Sequence, residues 1–491
     1  MGSPASFKAL LPHYLSAYAH VSILTISSIL RQPPQRDNNN MQDLLHAGLS
    51  STRALHSRAY PILTLPPEIT SEIFVRCLPA ERQLDMVNPK EAPLLLMQVC
   101  SLWREIAMST PELWADFDLE IGWPEPHLVD FSKAWLQRAC DRPLAVNLSS
   151  CGLMSDIDNI DRFIAGLWGR SHKIHTLELK IAVEDLDVID VSICGPNFRT
   201  LQRLSVQLQQ GLGGGAVDRE PIMLFHDTPA LCEVRLSEIP PSSISLPWSQ
   251  ITRFCGEIYS VAECLEALSL MPNLRHCTFA AFDSISSPPR PFSTTAVHTN
   301  NLNPITHPHI QHLELSDSIS DSFLLANSMD VLAFITLPAL QTLQIRGVKD
   351  YSKTVLDSFL SRSSPALHRL SIHPLESQNG ATELCFSPHF TSLPLMDLEV
   401  WYPDSHLLLR FLGKNPELLP KLRRLSLLGC RNVDNEASGN LAAPAANHQI
   451  QGESARPSYL QLFRVVSESG RTLSDTELAL MRLGQLKASC N

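Results

Sequence analysis

The chain has 491 residues, with 39 Lys plus Arg against 50 Asp plus Glu, a formal charge of −11, and 18% charged residues, below the roughly 25% of ordinary soluble domains. That balance excludes a basic nucleic-acid footprint spread over the chain, and 44% hydrophobic residues exclude wholesale disorder. Pro 36 outnumbers Gly 20, which excludes collagen and glycine-rich β-helices and leaves a proline excess to explain.

At roughly 150 residues per domain the length holds about three domains, or one long array with attachments. Met1-Gly2-Ser3-Pro4-Ala5-Ser6 fits the myristoylation pattern, which is too short to carry an assignment. Residues 9–30 lack strong charge, but Pro12, His13, His20 and many Ser and Thr make them a poor membrane span and a poor signal peptide. The polar run 32–40 reads as a linker and 41–57 as helical, giving an N-terminal segment 1–60. The 12 cysteines include no CxxC pair, so neither a zinc ribbon nor a thioredoxin motif is expected. Reduced thiols and a cytoplasmic and/or nuclear location follow as expectations, with no membrane partner.

Residues 61–125 carry two marked helices. Leu65-Pro66-Pro67-Glu68-Ile69 puts proline at a helix start, where its missing N–H costs nothing. Ile69, Ile73, Phe74 and Cys77 then recur at helical spacing. After Pro93, the residues Leu96, Val99, Cys100, Trp103, Ile106 and Ala107 form one sustained stripe. Ser109-Thr110-Pro111-Glu112 combines an N-cap residue, a first-turn proline and capping-box spacing, followed by Leu113-Trp114.

These residues resemble the F-box, the helical module that docks substrate receptors onto the Skp1 adaptor of cullin-RING ubiquitin ligases, and its form common in mushroom-forming fungi. The resemblance implies contact with a Skp1-like adaptor, and through it a cullin, at Leu65, Pro66, Pro67, Ile69, Ile73, Phe74, Val99, Cys100, Trp103, Leu113 and Trp114. It covers about fifty residues, and the stretch 79–93 is longer than in compact F-boxes. A module so small is not expected to bury Leu65, Trp103 and Trp114 by itself.

From residue 174 the pattern aliphatic-x-x-aliphatic-x-aliphatic recurs, at Ile174, Leu201, Leu231, Ile310, Leu340, Leu367, Leu395 and Leu422, with weaker units at Ile251 and Leu274. Pro229, Pro272, Pro308, Pro338, Pro365 and Pro420 each lie two residues before a unit's first apolar position. At a background of roughly 7%, that coincidence at one offset arises less than about once in ten thousand trials. Each proline is expected to end a helix and open a strand. Helical stretches are expected at 321–335, 351–362 and 405–414, and a capping strand at Leu144-Val146-Leu148.

The pattern resembles leucine-rich repeats, and the last unit, through Cys430 and Val433-Asp434, resembles their cysteine-containing subtype. The fold class implied is α/β: a small all-helical F-box followed by an irregular leucine-rich-repeat solenoid over 130–436, with parallel strands inside and helices outside. Residues 437–491 read as a flexible segment with an amphipathic helix between Leu473 and Leu486. Strand alternation puts Glu178, Arg203, Arg235, Glu257, Glu314, Arg346, Glu399, Trp401 and Arg424 on the concave face, where mixed signs suit a target protein rather than a polyanion. Trp401 beside Tyr402 is the anchor candidate, since aromatics dominate interface hot spots.

No G-x-S-x-G, H-E-x-x-H or Walker motif occurs. Residues 211–216 are glycine-rich but run into Asp218-Arg219-Glu220-Pro221 rather than a helix. His307, His309 and His312 cluster, yet Pro308 marks a strand start and no metal or cofactor is expected. The function expected is a non-catalytic substrate-recognition adaptor of an SCF ubiquitin ligase, with no nucleic-acid partner. The alternative is a non-ligase repeat scaffold whose helical region packs against the array.

Overall fold

The computed structural model describes residues 64–79, 88–121, 128–150, 157–182, 185, 195–209, 220–280, 304–317, 328–348, 352–374, 393–401, 419, 421–430 and 462–467. The helices expected at 41–57, 405–414 and 473–486, the glycine-rich run 211–216, Tyr402 and Pro420 lie outside these residues. Backbone contacts divide the chain into two units, residues 1–214 with 222–230, and residues 215–221 with 231–491.

The first unit opens with α1 (Pro67–Arg76), α2 (Leu96–Val99), α3 (Ser101–Ser109) and a 3-10 turn at Pro111–Trp114. It continues through β1 (Asp116–Ile121), α4 (Leu128–Arg138), β2 (Leu144–Ser150), α5 (Ile157–Trp168), β3 (Ile174–Ala182) and β4 (Arg203–Gln209). The four strands pair in sequence order and in parallel. Register aligns Phe117, Val146, Leu177 and Leu204 in one buried row and Leu119, Leu148, Leu179 and Val206 in another. Parallel neighbours need crossovers, and α4 and α5 supply those from β1 to β2 and from β2 to β3. Phe131, Trp135 and Leu136 form the buried stripe of α4, continued by Ala139 just past its end, and Phe117 meets Trp135 and Phe163 at 6.4 and 6.3 Å between ring centroids.

Two expectations need correction here. Residues 61–125 are not all helical, because β1 ends them and begins the ladder before Leu144. The second apolar stripe is not one helix: Cys100 is extended (φ −159°, ψ 170°) and separates α2 from α3.

The second unit runs β5 (Glu233–Ser237), β6 (Arg253–Glu257), α6 (Val261–Leu270), β7 (His276–Ala280), β8 (Ile305–Thr306), β9 (His312–Ser316), β10 (Ile335–Thr336) and β11 (Thr342–Val348). Then follow α7 (Lys353–Ser363), β12 (Arg369–Pro374), β13 (Asp397–Trp401), β14 (Arg424–Cys430) and β15 (Leu462–Ser467). β5, β6, β7, β9 and β11 to β15 form one parallel sheet in chain order, while β8 and β10 pair separately. Phe254, Cys277, Leu313, Leu343, Leu370, Leu398 and Leu425 align in one buried row. A second joins Gly256, Phe279, Leu315, Ile345, Ile372, Val400 and Leu427. Both helices start on serine caps: Ser260 and Glu263 close a capping box on α6, and Ser352 Oγ accepts from Val355 N at 3.4 Å on α7.

The prolines act one step earlier than expected. Leu274 N donates to Met271 O at 3.2 Å and Leu340 N to Leu337 O at 3.3 Å, so Pro272 and Pro338 occupy the second position of a β-turn. There a fixed φ near −65° is already the turn value. They stand before the strand rather than at its first residue. The helix expected at 321–335 is, in its described part, a 3-10 turn at Ser328–Ala333 followed by β10. The segment 437–491 contains β15, which pairs with β14 from Leu462↔Arg424 onward.

β11 carries one extra residue, Gly347, where register shifts between Arg346 and Val348. Its φ is +67°, and a Cβ there would come 2.8 Å from the Asp317 carbonyl oxygen. Gly347→Ala therefore lowers stability by about 1–3 kcal/mol, read as a reduced urea midpoint at unchanged m-value.

Candidate functional site

Two surfaces carry exposed chemistry, the helical region before β1 and the polar face of the second unit's sheet. In α1, Pro66 precedes the first turn and its carbonyl accepts from Ile69 N and Thr70 N at 3.1 and 3.0 Å. Helical spacing then splits the residues between two faces. Leu65, Ile69 and Ile73 are 37%, 51% and 37% exposed, whereas Thr70 and Phe74 are buried at 3% and 1%. α2 divides likewise: Leu96 and Met97 are buried, while Leu95 and Val99 are exposed. Pro66 and Pro67 are exposed too, and α3 adds exposed Met108.

Beneath these lies a finished interior. Phe74 meets the Trp103 ring edge-on at 4.9 Å. Trp114, 0% exposed, donates through Nε1 to Ala107 O at 2.9 Å and packs edge-on against Trp135 at 4.8 Å. The Arg138 guanidinium lies 5.1 Å from the Trp114 ring centroid, a cation–π arrangement. Burial lowers the Arg138 pKa from its ordinary value. Cys100 Sγ accepts from Trp103 N at 3.4 Å and so caps α3. Thr110 Oγ1 sits 2.7 Å from Ile106 O and 3.0 Å from Ser71 Oγ, tying the 3-10 turn to α1.

The expected contact residues therefore divide. Leu65, Pro66, Pro67, Ile69, Ile73 and Val99 face solvent. Phe74, Leu113 and Trp114 belong to the interior, a correction whose cause is Trp135, a partner beyond residue 125 that completes the core. Trp103 and Cys100 are half-buried and hold α1 and α3 in place. Sequence reading missed Leu95 and Met108, although Leu95 lies four residues before Val99.

On the second unit's sheet, Arg235, Glu257, Glu314, Arg346, Glu399, Trp401 and Arg424 all stand on the face opposite the aliphatic rows. They are matched across strands rather than left single. Arg235 pairs with Glu257, Arg346 with Glu314 at 3.2 Å, and Arg424 with Asp397 at 2.7 Å. Glu399 collects His373 Nε2 at 3.1 Å, Arg369 at 3.9 Å and the Trp401 indole N–H at 2.8 Å. His373 and Trp401 lie 4.9 Å apart between centroids, so the anchor candidate is half-buried against a neighbour. In the first unit, Glu178 pairs with Lys180 at 2.9 Å and Arg203 is exposed at the start of β4.

Ser371, His373 and Glu399 bring together the residue types of a nucleophile relay, but not its geometry. Ser371 Oγ lies 2.8 Å from His373 Nε2, the nitrogen that Glu399 also approaches. A relay uses opposite ring nitrogens for the base and for the orienting carboxylate. Burial, outweighing Glu399, lowers the His373 pKa below its ordinary value. His307 Nε2 is held by Met271 O at 2.7 Å, and among the described residues no group of three His, Cys, Asp or Glu could hold a metal ion.

The strand-start row was missed in sequence: Arg253, His276, His312 and Arg369 lie two residues ahead of the middle polar row, on the same face. His276 and His312 stack with centroids 4.3 Å apart and planes at 9°. Burial first lowers both imidazole pKa values; on His276 His312, Arg253 and Arg275 add to it against Glu233, and on His312 Arg253 adds to it.

No protein-family model and no curated protein matches the chain.

Trp114→Ala should destabilise the protein by about 3–5 kcal/mol, whereas Ile69→Ser and Val99→Ser should stay within about 0.5 kcal/mol; denaturant unfolding of the three variants separates interior from surface. The stacked histidines also give a pH dependence. Their folded pKa values lie below the ordinary 6.5, so below that pH the unfolded chain binds more protons and stability falls on acidification. His276→Gln with His312→Gln should remove this part of the acid loss, seen as a smaller drop in unfolding free energy between neutral and mildly acid pH than in the parent.

Proposed function

We propose that the chain is a substrate-recognition adaptor of an SCF-type ubiquitin ligase. In this reading residues 61–125 are an F-box-like module that binds a Skp1-like adaptor, and through it a cullin. The following parallel ladder is an irregular leucine-rich-repeat solenoid, whose polar face receives a target protein. The protein itself then carries no catalytic step; it positions the target.

The observation that carries this reading is the division of residues in α1 and α2. Leu65, Ile69, Ile73, Leu95 and Val99 stay exposed above an interior already closed by Phe74, Met97, Leu113 and Trp114. Exposed aliphatics at successive helical turns contribute nothing to that core and suit a partner's apolar surface. The sequential parallel order of β5 to β15, interspersed with α6, α7 and 3-10 turns, supports a repeat array. The alternative, a scaffold that recruits no ligase, predicts a covered apolar row instead.

The purified chain should form a stable complex with a Skp1-like adaptor on size exclusion. Ile69→Asp with Val99→Asp should weaken it at least tenfold by calorimetry, since an interface centre that gains unpaired charge loses several kcal/mol. Both residues are exposed, so the variant should keep the parent's melting behaviour. A parent that forms no complex, or a folded variant that binds equally well, would exclude the adaptor reading.

A further inference from the structure

Basic side chains without carboxylate partners among the described residues gather on the strand-start edge of the second unit's polar face. Arg253, His276 and His312 share one register position on the successive strands β6, β7 and β9, and Arg275 precedes His276. Neighbouring strands lie about 4.8 Å apart, so the three side chains form a contiguous row. The two imidazoles are stacked nearly parallel. Arg253 and Arg275 are exposed. Arg235, Arg346 and Arg424 on this face are each held by a carboxylate, with Arg369 near Glu399, but among the described residues no ion pair or side-chain hydrogen bond engages Arg253 or Arg275. Glu233, opposite Arg253 in register on β5, forms no ion pair with it.

The remaining ionisable groups nearby do not neutralise the row. Glu314 is engaged by Arg346, and Glu257 by Arg235. Burial pushes the Cys255 thiol up to about 11, so it carries no charge at neutral pH. Burial, then His312, Arg253 and Arg275, disfavour protonation of His276, and Glu233 opposes them without reversing the shift.

We propose that Arg253, Arg275, His276 and His312 form a recognition site for an acidic peptide segment of a partner protein, and that the imidazole pair takes up a proton when the peptide's carboxylates bind. In the free protein Glu233 alone favours the charged form of His276 and is outweighed by burial and the neighbouring cations; carboxylates bound beside the stack add the opposite charge needed to tip that balance. Linkage then requires binding to strengthen as pH falls toward the histidine range. A peptide fits better than a nucleic acid because Glu257 and Glu314 follow further along the strands. These carboxylates already match Arg235 and Arg346, so a continuous phosphate backbone would meet no further unmatched cation there, whereas discrete carboxylates need touch only the strand-start edge. The proposal rests on the polar face being partner-binding and is independent of adaptor recruitment by α1 to α3.

The test is fluorescence anisotropy with a labelled hexaglutamate peptide and the full-length chain, without any adaptor, at pH 7.5 and pH 6.0. Glutamate stays ionised at both values. The parent should bind hexaglutamate, about threefold to tenfold more tightly at pH 6.0, and should ignore a hexaglutamine control. Arg253→Ala with Arg275→Ala should lose binding about tenfold or more at both pH values. His276→Gln with His312→Gln should keep most of the binding at pH 7.5 and lose the strengthening at pH 6.0. Unchanged melting of both variants at pH 7.5, and melting of the histidine variant no lower than the parent's at pH 6.0, keeps these losses interpretable. No binding by the parent, equal binding by the arginine variant, or pH strengthening that survives in the histidine variant would overturn the proposal. So would a single-stranded oligonucleotide that displaces the peptide at lower concentration than the peptide binds. Failure here leaves complex formation with a Skp1-like adaptor unaffected, so the two readings fail separately.

Discussion

Each strand of the second unit's large sheet, from β6 to β14, begins with two backbone N–H groups donated to one carbonyl from the strand before it. Arg275 N and His276 N donate to Thr252 O at 2.9 and 3.1 Å, Gln311 N and His312 N to Arg275 O, and Gln341 N and Thr342 N to Gln311 O. His368 and Arg369 repeat this on Gln341, and Arg423 and Arg424 on Met396. Shared carbonyls of this kind fix where every strand starts, and therefore its register. A slip of one residue would turn each aliphatic row to water. Turns such as Met271–Leu274 and Leu337–Leu340, with proline pre-set at their second position, deliver the chain to that start point. The proline excess is thus partly a set of register pins.

Register also decides what the polar face can be. Because strand-start residues align with strand-start residues, Arg253, His276 and His312 become neighbours although up to 59 positions separate them. The same alignment lets Glu314 meet Arg346 and Asp397 meet Arg424 on adjacent strands. Ion pairs this exposed contribute little to stability, about 0–1 kcal/mol each. Their effect is to cancel charge locally and leave unmatched charge only where a partner carboxylate is missing.

Much of this was legible in the sequence. The aliphatic triplets named the buried rows at Leu313-Leu315, Leu343-Ile345, Leu370-Ile372 and Leu398-Val400, because alternation is a property of each strand alone. Matching of Arg235 to Glu257, or stacking of His276 on His312, was not legible, since the irregular spacing between strands hides which polar residues face each other. β1 escaped because Asp116, Asp118 and Glu120 dominate its six residues. Trp114 was misassigned for a related reason: it shares the apolar character of Ile69 and Val99, and only the crossover helix α4 brings Trp135 to it.

The helical region shows why apolar character alone cannot separate core from contact surface, and what can. Phe74 and Ile73 are consecutive and similarly apolar, yet one is closed against Trp103 and the other open to water. Burial draws the line, and hydrogen bonds fix its inner side. Trp114 Nε1 is satisfied by Ala107 O, and Thr110 reaches both Ile106 O and Ser71, so that side of α1 and α3 is fixed by directional bonds as well as packing. The aliphatic side chains of Leu65, Ile69 and Val99 stay exposed instead and contribute surface outside that bonded interior. A row whose removal leaves every buried bond intact is free to be shaped by a partner. On that ground Leu65, Ile69, Ile73 and Val99, rather than the larger Trp114, are the residues on which the proposed adaptor contact turns.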